Sequence, residues 1–441
     1  MKIVKRTGWG RTSSIRSKEM PIERFGEVVA SQESNSGLAV GLGRSYGDSS
    51  LNSNGLSWSC LSQKEILIDI SKQEAICGAG VTIGELERAA CVKNLFPPVV
   101  PGTEFVTIGG AIASNIHGKA HHSQGAFGDH VQEISLLDSS GKVHRISPDT
   151  NSKLFWATIG GMGLTGVILS AKLQLIPIEN EFLFVEEQRS NSLDELLNLL
   201  KEFDSKYMYT VAWIDLSGDY RGRGVVSGGR HATTGELPPN FEAKRKRTSI
   251  KRSLVLPDIF PSFTINKYTV RAFNSMWFHK KLESGIVHYR KYMHPLDSIR
   301  GWNRIYGRKG FLQYQVQIPF EKEDFIYEIL STMKKIKVAS FLGVVKRFGD
   351  CDARYLSFPS KGWTIAIDIP VQNSELLPNL KILDEKLSKI GGKVYLTKDS
   401  RLSLHHFIQM YPNISEWKEI KKHIDPDNYW QSDQGLRLNL C

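Results

Sequence analysis

Glycine-rich turns that no helix follows constrain the fold of this chain more than any other feature. The first turn reads GLGRSYGD at residues 41–48. Its spacing matches the start of a dinucleotide fingerprint and the G-x-S-x-G nucleophile elbow, but both motifs require a helix immediately afterwards. The next residues, SSLNSNG, are mostly poor helix formers. The turn therefore predicts a nest of backbone N–H groups for a phosphate, with a plain tight turn between strands as the alternative.

Two more glycine clusters follow, TIGGAIASNIHGK at 107–119 and GGMGLTG at 160–166. Together with the first turn they predict one wall of a site for an extended ligand that carries phosphates. Three histidines, His117, His121 and His122, suggest a metal site. Zinc sites favour a defined tetrahedral set, however, and no carboxylate follows nearby until Asp129, so no metal is predicted.

The sequence pattern changes near residue 179 and again near residue 393. Residues 1–178 are rich in glycine and β-branched residues, whereas LQYQVQI at 312–318 and WTIAIDI at 363–369 alternate in polarity. This alternation predicts an antiparallel sheet with one apolar face, whose glutamines lie either in solvent or around a polar cavity. These patterns divide the chain into residues 1–178, residues 179–392 and a short final segment, residues 393–441.

The net charge of +11 is concentrated in one segment. Residues 221–309 contain 19 Lys and Arg against 5 Asp and Glu, a net charge of +14. The densest run, at 244–252, precedes the apolar stretch LVLPDIFP at 254–261. A solvated loop and an anionic membrane surface both fit this pattern. Nucleic acid is not expected as a partner, because no stacking aromatics or recognition helix accompany the basic residues.

The sequence predicts neither export nor a membrane span. No stretch approaches the ~18 apolar residues of a spanning helix, and the basic start lacks the apolar region of a secretory signal. Five cysteines without CxxC spacing argue against a disulfide framework. We expect a cytoplasmic protein, with peripheral binding to the inner face of the plasma membrane as the natural role for the basic segment.

Several stretches resemble the flavoenzymes of the vanillyl-alcohol-oxidase superfamily, which have a PCMH-type FAD-binding domain. They run through nearly the whole chain, and the narrower likeness is to the branch that oxidises a polyprenyl-phospho-ribose. The stretches are GLGRSYGD (41–48), PGTEFVTIGGAIASNIHGKAHH (101–122), FWATIGGMGLTG (155–166), LPDIFP (256–261), NKYT (266–269), HPLD (294–297), GFLQYQ (310–315), FPSKGW (358–363) and TKDSR (397–401).

The resemblance implies an α+β fold in which residues 1–178 and 393–441 form one domain and residues 179–392 form the other. FAD would lie across the first domain, and the substrate domain would lie above its ring system. Some relatives link FAD to His or Cys, but the 41–48 loop has no His and residues 92–130 have no Cys. His117 matches a residue that stays unlinked, so we expect noncovalent FAD. The implied cofactor-binding residues are Gly41, Leu42, Gly43, Arg44, Ser45, Tyr46, Gly47, Gly102, Thr103, Thr107, Gly109, Gly110, Ser114, His117, Gly118, Lys119, Val167 and Tyr395.

The resemblance also implies which residues meet the sugar. Lys398, Gln315 and Tyr395 are the expected catalytic residues, and Lys398 polarises the hydroxyl or relays its proton. For Lys398 an ion pair with Asp399 or a contact with the sugar phosphate stays open as the alternative. The implied substrate-binding residues are Lys119, Trp213, Gln313, Gln315, Lys346, Thr364 and Lys398.

The implied reaction is FAD-dependent oxidation of the C2 hydroxyl of a polyprenyl-phospho-ribose. It forms the first half of an epimerisation to an arabinose donor for a surface glycan, and a separate NADH-dependent reductase completes it. Two positions depart from the pattern: Ala366 replaces a cysteine and Thr364 replaces an asparagine. The alternatives are an oxidase of a soluble alditol or aldonolactone and, more remotely, a non-catalytic basic adaptor for membranes or nucleic acid.

Overall fold

The computed structural model describes residues 2–26, 36–217, 222–237, 254–351, 354–371 and 374–441. The basic run at 244–252 lies outside these residues. Helices and mainly antiparallel sheets share the chain, which confirms the predicted α+β class. Within the described part of the chain, no helix is long and apolar enough to cross a membrane.

Within the described residues, two sheets and several helices form the first part of the molecule. A four-stranded sheet has the order β1-β2-β4-β3, and a five-stranded antiparallel sheet has the order β5-β6-β10-β8-β9. A third pair joins β7 to β11. The strands are β1 (Lys2–Thr7), β2 (Ser14–Pro21), β3 (Gly37–Val40), β4 (Leu56–Ser59), β5 (Ile66–Asp69), β6 (Glu74–Gly78), β7 (Leu95–Phe96), β8 (Val131–Leu137), β9 (Val143–Ile146), β10 (Val167–Gln174) and β11 (Ile176–Pro177); the helices are α1 (Ile83–Cys91), α2 (Ile108–Ala113), α3 (His121–Gln124) and α4 (Ser152–Thr158).

An eight-stranded sheet dominates the second part, in the order β16-β12-β14-β13-β19-β20-β18-β21. A small parallel pair joins β15 to β17. The strands are β12 (Phe182–Ser190), β13 (Tyr209–Ile214), β14 (Gly224–His231), β15 (Leu254–Val255), β16 (Ser284–His288), β17 (Ile299–Arg300), β18 (Phe311–Ile318), β19 (Gly343–Phe348), β20 (Gly362–Pro370) and β21 (Lys393–Val394); the helices are α5 (Leu193–Lys206), α6 (Lys267–His279), α7 (Tyr289–Met293), α8 (Phe325–Lys335) and α9 (Leu376–Lys389).

Apolar and polar residues alternate in β18 and β20, and the apolar residues mark the face of the sheet that the helices cover. Tyr314, Val316 and Ile318 are buried with Ile365 and Ile367 in one apolar core. Helices α5, α8 and α9 supply the other side of that core, because each presents an apolar stripe to the sheet. The opposite face of the sheet is left for polar side chains, as the alternating pattern predicts.

The last segment contacts both parts of the molecule. Strand β21 pairs with β18 at the edge of the eight-stranded sheet. Further on, the Gly37 amide donates to the Tyr429 carbonyl at 2.8 Å, and Asp433 accepts from the Ser53 amide at 2.8 Å. The remaining helices are α10 (Leu404–Met410), α11 (Ile414–Ile424) and α12 (Asp433–Arg437); short 3-10 turns occupy Ile22–Arg24, Phe127–His130, Thr234–Glu236, Ser262–Thr264, Pro295–Ser298, Trp302–Tyr306, Phe320–Lys322 and Leu396–Lys398.

Candidate active site

A cavity of about 2570 Å³ lies between the glycine loops and the polar face of the eight-stranded sheet. Pockets for a single drug-sized ligand usually enclose ~300–1,000 Å³. This cavity therefore has room for an extended cofactor together with a second ligand. Its walls come from both parts of the molecule and from the segment around residues 395–398.

Two glycines let the first loop pass close to Thr107 and turn at the cavity wall. A Cβ at Gly41 would lie 2.4 Å from Thr107 Oγ1, and Gly43 has a φ of 62°, in the left-handed region that favours glycine. Thr107 in turn caps α2 by accepting the Gly110 amide at 3.3 Å. Arg44 orders the loop, since its Nη1 donates to the Leu42 carbonyl at 2.9 Å.

Most of the predicted cofactor residues line the cavity; Gly47 and Val167 do not. Gly47 packs against the backbone of Asp399, where an added Cβ would lie 1.9 Å from the carbonyl oxygen. Val167 is buried in β10, and its neighbours Gly166 and Ile168 reach the cavity instead. Every predicted substrate-binding and catalytic residue lies in the lining.

The three glutamines of β18 have two different roles. Gln313 and Gln315 line the cavity, whereas Gln317 Nε2 donates to the Lys361 carbonyl at 2.8 Å. Gln315 Nε2 donates to His117 Nε2 at 2.8 Å and lies 3.4 Å from Thr364 Oγ1. The glutamines therefore line a polar cavity at two positions and close the end of the strand at the third.

His117 is held as a neutral imidazole with one open donor. Burial lowers its pKa well below the usual value, and the cationic Lys346 lowers it further. Since Nε2 accepts from Gln315, the proton resides on Nδ1, for which no described residue provides a partner. This buried N–H is a donor available to an acceptor atom of a bound group. The three histidines diverge: His121 packs on Phe348, and His122 bonds the Tyr207 carbonyl.

Three partly buried lysines line the cavity, each from a different element. Burial lowers the pKa of Lys119 to about 7 and that of Lys346 to about 8, and the Lys346 charge contributes to the shift of Lys119. Lys119 Nζ donates to the Met293 carbonyl at 3.0 Å. Lys398 Nζ lies 3.6 Å from the centre of the Tyr46 ring. Three lysines around one cavity make it a favourable site for an anionic ligand.

A carboxylate that the sequence analysis did not single out, Asp368, balances part of this charge. Its Oδ1 accepts from Gln313 Nε2 at 2.5 Å, and no described residue bonds its Oδ2. Burial raises the pKa of Asp368 and lowers that of Lys398, while each charge opposes the shift of the other. The alternation in WTIAIDI could have revealed it, because Asp368 shares a face with Thr364 and Ala366.

Asp399 does not pair with Lys398. Its Oδ2 accepts from Arg437 Nη2 at 2.9 Å, and its Oδ1 accepts the amides of Arg401 and Leu402 at 2.9 and 2.8 Å. The ion-pair alternative for Lys398 is therefore not what the structure contains. Asp399 instead fixes the backbone that carries Lys398.

Tyr395 and Trp213 complete the lining as oriented aromatic residues. Tyr395 donates its hydroxyl to the Ser114 carbonyl at 2.9 Å and stacks on Phe358, with ring centres 4.5 Å apart. Trp213 Nε1 donates to the Phe341 carbonyl at 3.0 Å. Both rings are fixed before any ligand binds.

Comparison with known proteins identifies the group that this cavity holds. An FAD-binding-domain family model matches residues 28–147. Decaprenylphosphoryl-β-D-ribose oxidase of Mycolicibacterium smegmatis is 37% identical over 446 residues, covering 98% of this chain and 97% of that protein. The chain belongs to the decaprenylphosphoryl-ribose oxidase family.

More distant relatives are consistent with that membership. An uncharacterised protein of Streptomyces coelicolor is 30% identical over 369 residues, which cover 82% of this chain and all of that protein. A D-lactate dehydrogenase of Archaeoglobus fulgidus is 33% identical over only 118 residues, about a quarter of each chain. The similarity to the D-lactate dehydrogenase is confined to a short stretch, whereas the similarity to the oxidase extends over nearly the whole chain.

FAD is thus the cofactor, and the enzyme is an FAD-dependent oxidoreductase, as predicted. The residues present fit FAD on two observations of this structure. The Gly41 and Gly43 backbone leaves an open cradle beside Thr107, and the buried Nδ1–H of His117 lacks a partner among the described residues. Backbone amides and dipoles of such a cradle suit a pyrophosphate, and a free N–H suits a ring acceptor.

Proposed function

We propose that this enzyme oxidises the C2 hydroxyl of the ribose in a polyprenyl-phospho-ribose to the 2-keto sugar. The observation that carries the proposal is the group of three partly buried lysines, Lys119, Lys346 and Lys398, that line the cavity. A phosphodiester carries the anionic charge that this group lacks. The proposal agrees with family membership, since the relative from Mycolicibacterium smegmatis is named for a decaprenylphosphoryl-ribose substrate.

The reaction removes a proton from the C2 hydroxyl and a hydride from C2. FAD, when bound, supplies the hydride acceptor. Lys398 takes the hydroxyl proton, because burial lowers the pKa of its amine and a neutral amine can act as a base near neutral pH. Gln315 and Tyr395 orient the sugar, and each is itself fixed by a hydrogen bond to the other wall.

Lys119 and Lys346 bind the phosphate in this proposal. Their side chains come from opposite walls, the loop after α2 and strand β19. A bound anion would restore their charged forms, so phosphate binding should be accompanied by proton uptake. The sugar hydroxyls then form hydrogen bonds with Thr364 and Gln313, and Trp213 packs against the sugar ring.

Anaerobic flavin bleaching tests the proposal directly. A short-chain polyprenyl-phospho-ribose added to the purified holoenzyme should abolish the oxidised flavin absorbance and yield a product lighter by two hydrogens. An alditol and an aldonolactone at the same concentration should leave the absorbance unchanged. Bleaching by the alditol or the lactone, and not by the phospho-ribose, would overturn the proposal in favour of a soluble-sugar oxidase.

We also propose that FAD is held noncovalently, as the lack of His in the 41–48 loop indicates. Heat denaturation followed by filtration should release all of the yellow chromophore, and the filtrate should have the spectrum of free FAD. Chromophore that remains with the precipitated protein would show a covalent bond.

The proposed partners are a separate NADH-dependent reductase and an anionic membrane surface on the cytoplasmic side. The keto product of the oxidation is the natural substrate of such a reductase, which would return the hydroxyl with inverted configuration. Adding the reductase and NADH to the oxidation mixture should convert phospho-ribose to phospho-arabinose. Recovery of ribose alone would exclude that partner.

A further inference from the structure

Large apolar side chains lie in solvent along one segment of the second part of the molecule. Their exposed fractions range from 36% for Trp277 to 79% for Ile259. Single exposed apolar residues are normal, but a run of them along one surface marks contact with another hydrophobic phase. We name this surface the apolar rim; it comprises Leu254, Ile259, Phe263, Tyr268, Met276 and Trp277.

Helix α6 carries half of the apolar rim and is anchored from its other side. Val270, Asn274 and Phe278 recur every fourth residue and are buried. Asn274 Nδ2 donates to Asp215 Oδ1 at 2.7 Å, which ties the helix to the loop after β13. Tyr268 and Met276 are two turns apart and point away from this stripe into solvent. The helix thus has a packed apolar stripe and a second apolar stripe that is left exposed.

The apolar rim is continuous with the cavity. Leu254 and Trp277 contribute to both, and Thr269 and Phe273 of α6 also line the cavity. The rings of Phe273 and Trp277 stack with centres 6.1 Å apart, which extends the apolar surface from the solvent edge inward. A ligand with a long apolar tail could therefore keep its tail against apolar groups as it leaves the cavity.

Positive charge lies beside the apolar rim: Lys267 and Arg271 are on the same helix, and Arg300 pairs with Val255 between β15 and β17. Residues 254–309 contain ten Lys and Arg against three Asp and Glu, a net charge of +7. Several of the bases are exposed and form no ion pair with another described residue: Lys267, Arg271, Lys281, Arg300, Arg308 and Lys309. An apolar surface flanked by cations complements a bilayer whose headgroups carry negative charge.

We propose that the apolar rim inserts into the boundary between headgroups and acyl chains of an anionic bilayer. The polyprenyl tail then passes between bilayer and cavity without crossing water. This inference rests on the proposed function, because a lipid-linked substrate is what makes a cavity opening at a bilayer useful. Tyr268 and Trp277 suit that depth, since rings with one polar edge favour the interface.

A second copy of the chain is a less favourable binding partner for the same surface than a bilayer. A two-fold interface would place the rim of one copy against the rim of the other. The exposed cations beside each rim would then face like charges, which opposes association. A bilayer with anionic lipids meets the same surface with complementary charge.

Vesicle binding of the holoenzyme tests the proposal. The paired substitution Phe263→Glu and Met276→Glu puts carboxylates in the rim at two positions that do not line the cavity. We expect it to reduce partitioning onto phosphatidylcholine–phosphatidylglycerol vesicles at least about tenfold. The matched control is Leu377→Glu with Ile382→Glu on α9, two residues that are also half exposed. Equal partitioning of the rim variant and the wild type, or an equal loss in the control, would overturn the proposal.

A second measurement locates the inserted residue. Vesicles with brominated acyl chains should quench part of the tryptophan fluorescence of the wild type, and Trp277→Phe should remove most of that quenching. Quenching that survives in the variant would place the contact elsewhere. Light scattering of the chain without vesicles measures self-association. If the wild type is a dimer and the rim variant is a monomer, the surface binds a second copy of the chain instead of a bilayer.

Failure of this inference can be told from failure of the proposed function. A short-chain, water-soluble phospho-ribose requires no bilayer, so the rim variant should bleach with it as fast as the wild type. With the long-chain substrate in vesicles, the rim variant should be at least about tenfold slower. Normal bleaching with the short chain and no vesicle binding in the wild type would reject the docking surface and leave the oxidation standing.

Discussion

At the scale of single residues, Lys398 is the side chain whose protonation the surroundings control most closely. Burial disfavours its charged form, and Lys346 adds to that effect, whereas Asp368 stabilises the charge. Tyr46 lies under the ammonium group as a cation–π partner at 3.6 Å. The amine is thus poised to change protonation during a reaction.

Replacing Lys398 with Met should retain FAD and slow substrate bleaching at least ~100-fold, because general acid–base groups contribute ~10²–10⁴ in rate. Stopped-flow absorbance of the flavin measures the rate. Lys393→Met is the control, since Lys393 is also largely buried in the neighbouring strand but does not line the cavity. Bleaching at the wild-type rate in Lys398→Met would exclude the assigned role.

Replacing Asp368 with Asn should shift the pH dependence of flavin reduction. The Asp368 charge raises the pKa of Lys398, so its removal lowers that pKa. A base that acts in its neutral form then becomes active at lower pH, and the acid limb of the profile should move down by roughly one unit. An unmoved limb, or a limb that moves upward, would show that Asp368 does not tune Lys398.

At the scale of elements, one loop joins the two parts of the molecule. Asp297 accepts from Thr103 Oγ1 at 2.8 Å and from the Glu104 amide at 2.7 Å. Glu104 is nearly buried and pairs with both Arg88 and Arg290. These bonds fix the turn after Pro101, which lines the cavity on the FAD side.

Replacing Asp297 with Ala should therefore weaken both FAD binding and thermal stability. It leaves two donors without their acceptor, at a cost of about 1–3 kcal/mol. Calorimetry of the holoenzyme and FAD titration of the stripped protein measure the two effects. The exposed pair of Asp258 with Arg11 offers a control, since Asp258→Ala removes a surface ion pair worth at most about 1 kcal/mol.

Some features of the strands could be predicted from local sequence patterns, and others could not. Alternation in residues 312–318 and 363–369 predicted the apolar face of the sheet correctly, because side-chain direction in a strand follows from local geometry. Local patterns could not show that β21 borders β18, since that pairing depends on contacts between distant segments. Alternation places Asp368 on the same face as Thr364, but it does not show the interactions of Asp368 with Gln313 and Lys398. Val167 was assigned to FAD by resemblance alone, which does not report the face of a strand to which a residue belongs. Gly47 belongs to the predicted nest of backbone N–H groups, but it packs against Asp399 instead of lining the cavity.

At the scale of the whole molecule, the cavity is large and its walls come from distant segments. Stripping FAD should therefore lower the unfolding temperature markedly, and adding FAD at 100 times its Kd should restore about 2.7 kcal/mol of stability. Differential scanning calorimetry of apo and reconstituted protein measures this change. Identical transitions with and without FAD would mean that the cofactor does not bridge the two walls.

The position of Lys398 along the chain has a consequence for biosynthesis. Tyr46 reaches the Lys398 segment through its amide, which donates to the Thr397 carbonyl at 2.9 Å. The two residues are separated by some three hundred and fifty positions. Both segments must therefore have left the ribosome before the hydrogen bond between them can form. If Lys398 has the proposed role, chains that end before this segment can fold locally around the glycine loops but should not oxidise the substrate.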